Sequence, residues 1–380
     1  MMHPVNAKPR AGWLAHPPAT FALLSIQAIF LLKYGERIAG FWPAAAASAA
    51  ISAAFLWPPL WRMRIGCRWR WWVLAAWALC LAVALHRFTP QHFQVDRWDA
   101  VYYWWQALLR GEFPYSARTR FDGFPSPLPF LQVVVAPFAL GVDLAWATLL
   151  GWGSWVAWIW RRAGSVALPH LMLALLAPPV LWEIMCRSTL FVNSLLFMAF
   201  LWLSLTARRT PIVLGGCAGL LLSTRLAFAV PLAGWGLTEL ASRRHNLRQM
   251  IVIGLCALVV FGLTLLPLWM AWCGDAFRMH NPFGHHQRHM PLIGTAFLLS
   301  LSLALGWLRP QRPVQNASWV VLGFGILYCI NAVATFGWHQ AWYAHNADIS
   351  YFLFAWPLMW TTPLEAPSGD SRGTGPASGP

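Results

Sequence analysis

Charged residues are scarce in this sequence, and lysine is almost missing. Only 10% of the 380 residues are charged, whereas charged residues make up about a quarter of an ordinary soluble domain. The hydrophobic share is 58%. A chain of this composition cannot bury its apolar side chains in a water-soluble fold. The sequence therefore excludes a soluble domain and predicts a membrane protein.

Cysteine motifs are missing as well. The seven cysteines show no C-x-x-C or zinc-type spacing, and most of them lie inside apolar runs. We interpret them as small packing residues that carry no redox information.

Acidic residues are fewer than basic ones, and arginine supplies nearly all of the positive charge. The chain has 27 lysines and arginines but 12 aspartates and glutamates, which gives a net charge of +15. The arginines form short clusters between apolar runs and no separate basic domain. Such clusters follow the positive-inside rule of membrane proteins, and we predict no nucleic-acid partner.

Apolar runs are what the sequence has in abundance. A helix needs about 20 mostly apolar residues to cross a bilayer, and many stretches of the chain qualify. We predict an all-α fold, a polytopic transmembrane helix bundle of about 10–12 spans. The expected organisation is a cytoplasmic N-terminal tail at 1–19, a transmembrane domain at 20–362 and a disordered C-terminal tail at 363–380, which is rich in Gly, Pro and Ser.

The orientation follows from one connector that contains Arg62, Arg64, Arg68 and Arg70. Clustered arginines of this kind belong on the cytoplasmic side. The next span, at 71–86, then carries the chain outward. A long loop at 87–128 and a second loop at 273–290 therefore lie outside. We expect an integral protein of a bacterial cytoplasmic membrane, with these loops facing the periplasm.

Two later segments depart from simple crossing helices. The apolar segment at 128–142 is short and contains Pro137, which favours a re-entrant or lateral helix. The apolar stretch between Arg209 and Ser242 is bounded by basic clusters, so we expect a hairpin of two short helices with Arg225 near its tip. The last span is expected at 350–362.

The first outer loop is the segment that stands out chemically, because four of the twelve carboxylates lie in it. Asp96 and Asp99 are three residues apart and would share a face of a helix that begins near Val95. A carboxylate at the membrane surface suits the removal of a proton from a hydroxyl group. The aromatic residues that follow predict an interfacial helix, which Gly111 breaks. The simpler alternative is a helix cap or a solvated charge.

These residues resemble a known pattern. An aspartate, a tyrosine, A-L-L-x-G-x-x-P-Y and a Pro-rich approach to an apolar helix are similar to the first luminal loop of GT-C membrane glycosyltransferases, and most similar to the family 87 mannosyltransferase type. The matching residues are Asp96 or Asp99, Tyr102 or Tyr103, Ala107, Leu108, Leu109, Gly111, Pro114, Tyr115, Phe124, Pro125, Pro127 and Pro137.

The resemblance implies a fold, a donor and roles for particular residues. The loop aspartate would be the catalytic base; we favour Asp99 by its distance from Tyr103, and Asp96 stays an alternative. Arg187 and Arg225 would hold the phosphate of a polyprenyl-phosphate-linked sugar donor. The alternative for each arginine is pairing with Glu183 or with backbone carbonyls at a helix end.

Further residues are candidates for substrate binding. They are Tyr103, Tyr115, Asn193, Arg118, Arg120, His285 and His286. The histidines of the second outer loop are interleaved with arginines and do not show a metal-ligand spacing, so we interpret them as sugar-binding or solvated. We predict no metal and no cofactor.

Taken together, the resemblance implies a membrane glycosyltransferase of the hexosyltransferase class. It would transfer mannose, or another hexose or pentose, to a lipid or glycan acceptor at the outer face. Membrane lipids would be its further partners. One alternative is a transporter or flippase for an anionic lipid or glycan, although the sequence shows no internal repeat. Another is a catalytically inactive GT-C-like protein, because Arg225 stands where the resemblance leads us to expect Lys-Pro.

Overall fold

A computed structural model of the chain describes residues 17–57, 59, 64–65, 67–89, 93, 95–163, 166–167, 177–206, 210–272, 279–280, 283, 290–343 and 348–362. Most of these residues are helical. The predicted C-terminal tail at 363–380, residues 1–16 of the N-terminal tail and most of the second outer loop lie outside the described residues.

Helices follow one another along the whole chain. The first group is α1 (Pro17–Phe30), which continues through a π-helical turn at Leu31–Gly35 and the short helix Glu36–Ala39, then α2 (Phe41–Leu56) and α3 (Cys67–Arg87). The second group is α4 (Arg97–Leu109), α5 (Pro129–Gly141), α6 (Ala145–Ala163), α7 (Pro178–Met185) and α8 (Leu190–Thr206). The third group is α9 (Pro211–Leu222), α10 (Ala229–Ala241), α11 (Leu247–Ala271), α12 (Leu292–Leu308), α13 (Pro313–Phe336), α14 (Trp338–Trp342) and α15 (Trp356–Thr361).

Short 3₁₀ segments and one strand pairing complete the fold. The 3₁₀ segments are Pro114–Ser116, Leu226–Phe228 and Ile349–Phe354. Arg64–Ile65 pairs antiparallel with Val166–Ala167, which is a small departure from a purely helical chain. This pairing joins the start of α3 to the segment after α6.

Three helices among the described residues are long and apolar enough to cross a membrane: Pro18–Gly35, Leu247–Ala271 and Pro313–Phe336. The number rises to five if two bent helix pairs each count as one span. Shorter apolar helices accompany them at Phe41–Ala54, Trp71–Arg87, Pro211–Leu222, Leu226–Ala241 and Leu292–Leu308. The protein is thus a helical integral membrane protein, and the finer count of 10–12 spans stays a prediction.

The two bent pairs are α5 with α6 and α7 with α8. Their axes turn by 118° and 120°, respectively. In the first pair, α5 runs through Pro137 and stops at Gly141, and the Asp143 carboxylate then accepts a hydrogen bond of 2.8 Å from Ala145 N at the start of α6. A re-entrant or lateral helix, as predicted from the sequence, is one of the two geometries that fit this bend.

The core is aromatic and surrounds the end of the chain. Trp155 and Phe191 contact Trp356 of α15 in the largest apolar cluster, with ring centres 5.4 and 6.3 Å from that of Trp356. The segment from Ser350 to Thr362 was predicted to be a membrane span, but it lies in a 3₁₀ segment (Ile349–Phe354) and a six-residue helix that are almost completely buried. It is too short and too enclosed by other helices to face lipid along its length.

Glycines allow two helix pairs to come into backbone contact. A Cβ atom on Gly219 of α9 would lie 2.4 Å from the carbonyl oxygen of Ala257 on α11. A Cβ atom on Gly306 of α12 would lie 2.4 Å from the carbonyl oxygen of Gly234 on α10. Small residues at such positions let the helix backbones approach closely. The resulting van der Waals packing holds helices together within lipid, where the hydrophobic effect does not.

Gly219→Ala tests this packing. Because the added methyl group meets backbone atoms, we expect overpacking to lower stability by about 1–3 kcal/mol and to lower the melting temperature of the detergent-purified protein. Gly216→Ala on the same helix is the matched control, because its Cβ atom meets nothing within 4 Å. Equal melting temperatures for the two variants would show that α9 and α11 are not in close contact.

Candidate functional site

The first outer loop is attached to the turn that carries Arg225. Leu128 N donates to Thr224 O at 3.1 Å, and Phe130 N donates to Ser223 O at 3.1 Å. The Ser223 hydroxyl also accepts a hydrogen bond of 2.7 Å from Thr264 on α11. The end of the loop, the turn between α9 and α10, and α11 are therefore joined by hydrogen bonds at one end of the bundle.

Asp99 is completely buried on the first turn of α4 and is clamped by Arg120. The guanidinium donates to the two carboxylate oxygens at 2.6 and 2.7 Å, and Arg120 N adds a third contact at 3.2 Å. The hydrogen bond with Asp99 raises the pKa of Arg120. Both oxygens of Asp99 are thus occupied, and the pair folds the loop back onto α4.

Asp96 lies just before α4 and is more accessible. Its Oδ2 accepts a hydrogen bond of 2.7 Å from the Thr119 hydroxyl, which itself accepts one from Gly123 N. No further hydrogen bond of the Asp96 carboxylate is found among the described residues. A Cβ atom on Gly123 would lie 2.8 Å from Asp96 Oδ2, so the turn needs glycine there. The sequence favoured Asp99 as the base, whereas this geometry favours Asp96.

Arg225 is the arginine with unused hydrogen-bond donors. It is 5% exposed, and its Nη2 donates to the Ser126 hydroxyl of the outer loop at 3.3 Å. Its guanidinium carbon lies 5.9 Å from the ring centre of Tyr351. Nε and Nη1 are buried without a hydrogen-bond partner, and within the described part of the chain no carboxylate forms a salt bridge with Arg225. A buried guanidinium in this state favours an anionic ligand.

Arg187 is used structurally. Nη1 donates to Met185 O at 2.7 Å and Nη2 to Leu85 O at 2.9 Å, while Nε lies 3.3 Å from Asp143. Its backbone is left-handed, with φ of +53°. The alternative considered from the sequence, pairing with backbone carbonyls at a helix end, therefore describes Arg187. It joins α3, α7 and the bend between α5 and α6.

Arg97 forms a buried network that sequence reasoning missed. Its guanidinium pairs with the carboxylates of Glu183 and Asp348 and also donates to the Ser188 and Ser350 hydroxyls. Burial acts to raise the pKa of Asp348, but the positive charges of Arg97 and Lys33 and the hydrogen bonds from Ser350 together outweigh it, so the pKa of that carboxyl lies below its usual value. One signal was available in the sequence, because Arg97 lies in the loop that is predicted to face outward, where the positive-inside rule disfavours arginine.

The Arg97 network also reaches Arg225. Ser350 contacts Arg97, and the next residue, Tyr351, lies beside Arg225. Two consecutive residues of the 3₁₀ segment Ile349–Phe354 thus contact the two guanidiniums, Ser350 that of Arg97 and Tyr351 that of Arg225. The structure brings Arg97, Arg225 and the C-terminal segment together, whereas no contact of Arg187 with Arg225 is found among the described residues.

The other predicted residues have separate positions. Tyr115 is buried, its hydroxyl donates to Pro127 O at 3.0 Å, and burial raises its pKa. Asn193 is buried on α8 and donates to Thr189 O at 3.3 Å. Arg118 is exposed, pairs with Asp122 and lies 3.7 Å from the ring centre of Phe124.

Tyr103 is the predicted tyrosine that remains partly exposed, on α4 one turn after Asp99. His285 and His286 lie outside the described residues. Within the ranges that the structure describes, no group of three or more His, Cys, Asp or Glu side chains is placed to hold a metal ion. The described site is therefore a set of two aspartates, a tyrosine and guanidinium groups.

Compared with known protein families, with functionally characterised proteins and with solved structures, the chain shows no significant match. The chemistry of the site must therefore be argued from its own residues.

Arg97→Met tests the buried network. The change leaves two carboxylates without their cation, which typically costs roughly 3–5 kcal/mol for a buried pair, so the melting temperature should fall markedly. Arg110→Met is the control, because its salt bridge with Glu112 is exposed and should contribute nothing measurable. A melting temperature of Arg97→Met equal to that of the control would contradict the network.

Acidification tests the same network independently. Because the pKa of Asp348 is lowered in the folded protein, its contribution to stability is complete above the ordinary aspartate pKa of about 3.9 and is lost as the pH falls below it. We expect Asp348→Asn to remove this part of the acid sensitivity when melting temperatures are measured from pH 7 to pH 3. An unchanged pH profile would contradict the assignment.

Proposed function

We propose that the protein is a membrane glycosyltransferase that transfers a sugar from a polyprenyl-phosphate donor to a lipid or glycan acceptor at the extracytoplasmic face. One observation carries this proposal. The loop that holds Asp96, with one carboxylate oxygen unbonded among the described residues, also contacts the buried Arg225, whose Nε and Nη1 have no partner. A base and an anion-binding group are thus parts of one assembly.

The reaction that suits this assembly is a direct displacement with inversion. Asp96 accepts the proton of the acceptor hydroxyl, and the hydroxyl oxygen forms a bond to the anomeric carbon of the sugar. The bond between that carbon and the phosphate oxygen breaks, and polyprenyl phosphate leaves with the bonding electrons. The N–H groups of Arg225 stabilise the negative charge of the departing phosphate.

The remaining charged residues hold these two groups in place. The Asp99–Arg120 clamp fixes the loop against the first turn of α4. Arg97, between the two aspartates, ties the same turn to Glu183 and Asp348. Catalysis depends on such positioning, because a reactive group displaced by about 1 Å loses much of its effect. We assign Asp99, Arg120 and Arg97 to positioning and Asp96 to the proton transfer.

Placement at the outer membrane surface completes the proposal. The cluster of arginines before α3 favours the cytoplasm, which puts the loop at 87–128 on the periplasmic side of a bundle of 10–12 spans. A donor anchored by a polyprenyl chain is confined to the membrane, so a loop beside the headgroups is where its sugar becomes accessible.

A second candidate function is transport of an anionic lipid or glycan. The two bent helix pairs favour it, because many transporters bind their substrates where membrane helices are broken. The two functions differ in their products: a transporter moves an unchanged molecule across a sealed vesicle, whereas a transferase makes a new glycosidic bond.

Asp96→Asn tests the catalytic role. In membranes supplied with radiolabelled polyprenyl-phosphate sugars and extracted lipid acceptors, we expect transfer to fall by about 10²–10⁴-fold, the usual contribution of a general base. The melting temperature should change little, because Asp96 is partly exposed. Asp122→Asn, on the same loop and with a side chain that is 86% exposed, is the control that should keep full activity. Undiminished transfer by the Asp96→Asn, Asp99→Asn double variant would rule out the mechanism.

Arg225→Gln separates binding of the donor from the chemistry. We expect a higher KM for the polyprenyl-phosphate sugar, since the phosphate loses a charged hydrogen-bond donor. Arg110→Gln is the matched control, because Arg110 is exposed and already paired with Glu112. Uptake of the intact donor into sealed vesicles without product formation would instead support the transporter.

A further inference from the structure

An aromatic stack stands on α4 beside the two aspartates. The rings of Trp98 and Tyr102 are parallel, with centres 4.7 Å apart and planes at 11°. Tyr103 meets them edge-on, at 6.3 Å from Trp98 and 5.7 Å from Tyr102. Three neighbouring rings thus form one continuous surface within a single helix.

The outer rings of the stack are partly exposed. Trp98 packs against the apolar cluster around Val101, Leu131 and Val135. Tyr102 stacks on Trp98 and, like Tyr103, is partly exposed and belongs to no apolar cluster of the described residues. Part of the surface of Tyr102 and Tyr103 is therefore accessible to a ligand. The hydroxyls of Tyr102 and Tyr103 make no hydrogen bond within the described part of the chain.

Polar groups lie beside these rings along α4. Asp96, immediately before α4, and Asp99, Tyr103 and Gln106 within it recur at intervals of three or four residues and so form one stripe. Tyr102 adjoins the stripe, and Arg120 lies at its edge through its clamp on Asp99. Because Arg120 occupies the Asp99 carboxylate, the stripe offers the carboxylate of Asp96, the phenol of Tyr103 and the amide of Gln106.

We propose that the Tyr102–Tyr103 pair is a carbohydrate platform and that the acceptor is a glycan. The role of the glycan as acceptor rests on the proposed function. Binding of a sugar to the two tyrosines does not depend on it. A pyranose has an apolar C–H face that packs on an aromatic ring, while its hydroxyls need donors and acceptors at the rim. A sugar stacked on Tyr102 would present its hydroxyls to the stripe that begins with the proposed base, Asp96.

The competing explanation is that these rings anchor α4 in the membrane interface, as aromatic belts do. The chain contains a control for this case. Trp338 and Trp342 of α14 are also stacked, with centres 5.2 Å apart and planes at 10°, and Trp338 is 60% exposed. A generic aromatic surface would behave alike at both places.

The test measures binding without turnover. Saturation-transfer NMR is recorded on the protein in lipid nanodiscs, with mannotetraose, maltotetraose and arabinotetraose as the probes. We expect at least one of them to bind the wild type, and Tyr102→Leu to weaken that binding about tenfold, the loss that corresponds to one aromatic stacking contact. Tyr102→Trp should retain binding because it keeps a ring, and Trp338→Leu should bind like the wild type.

Each outcome decides the proposal. Binding of none of the probes, or equal binding by wild type and Tyr102→Leu at unchanged melting temperatures, overturns it. Equal losses in Tyr102→Leu and Trp338→Leu also overturn it, since they indicate a general effect of surface aromatics. The binding measurement separates the platform from the proposed function, because probe binding that is weakened by Tyr102→Leu and retained by Tyr102→Trp supports the platform whether or not transfer activity is found.

Discussion

The buried guanidinium of Arg97 is the interaction on which the rest of the site depends. It pairs with Glu183 at the end of α7 and with Asp348 at the start of the C-terminal 3₁₀ segment. These three parts of the chain are far apart in sequence, and a charge enclosed within a membrane protein is stable only while its partners stay in place. Because Arg97 lies between Asp96 and Asp99, the same network holds the start of α4, while Thr119 and Arg120 bind the two aspartate side chains.

The arginines of this end of the bundle divide into two kinds. Arg97, Arg120 and Arg187 are saturated by carboxylates, hydroxyls or backbone carbonyls, and they serve to hold helices and loops together. Arg225 is buried, and the described residues give its guanidinium one hydrogen bond, to the Ser126 hydroxyl, and a contact with the ring of Tyr351. The difference matters because a paired guanidinium is already neutralised, whereas an unpaired one retains its attraction for an anion.

Much of the local structure was readable in the sequence. The predicted helix near Val95 is α4, and the break at Gly111 is present, with φ of +74°. Short helices were expected on either side of Arg225 and are found as α9 and α10. The expected last span at 350–362 was wrong, because its apolar residues suit a buried protein core as well as lipid. Apolarity alone does not distinguish these two environments.

The sequence by itself determined the class of the protein and the residues available for chemistry. Its apolar runs and scarce charges require a membrane environment, and its loop places two aspartates, aromatic rings and arginines close together along the chain. Only the tertiary structure decided which of these groups are occupied. Asp99 is clamped by Arg120, Arg187 is bound to backbone carbonyls, and Arg225 keeps free N–H groups. The physical reason is that availability depends on partners from distant segments, and spacing along one segment cannot reveal them.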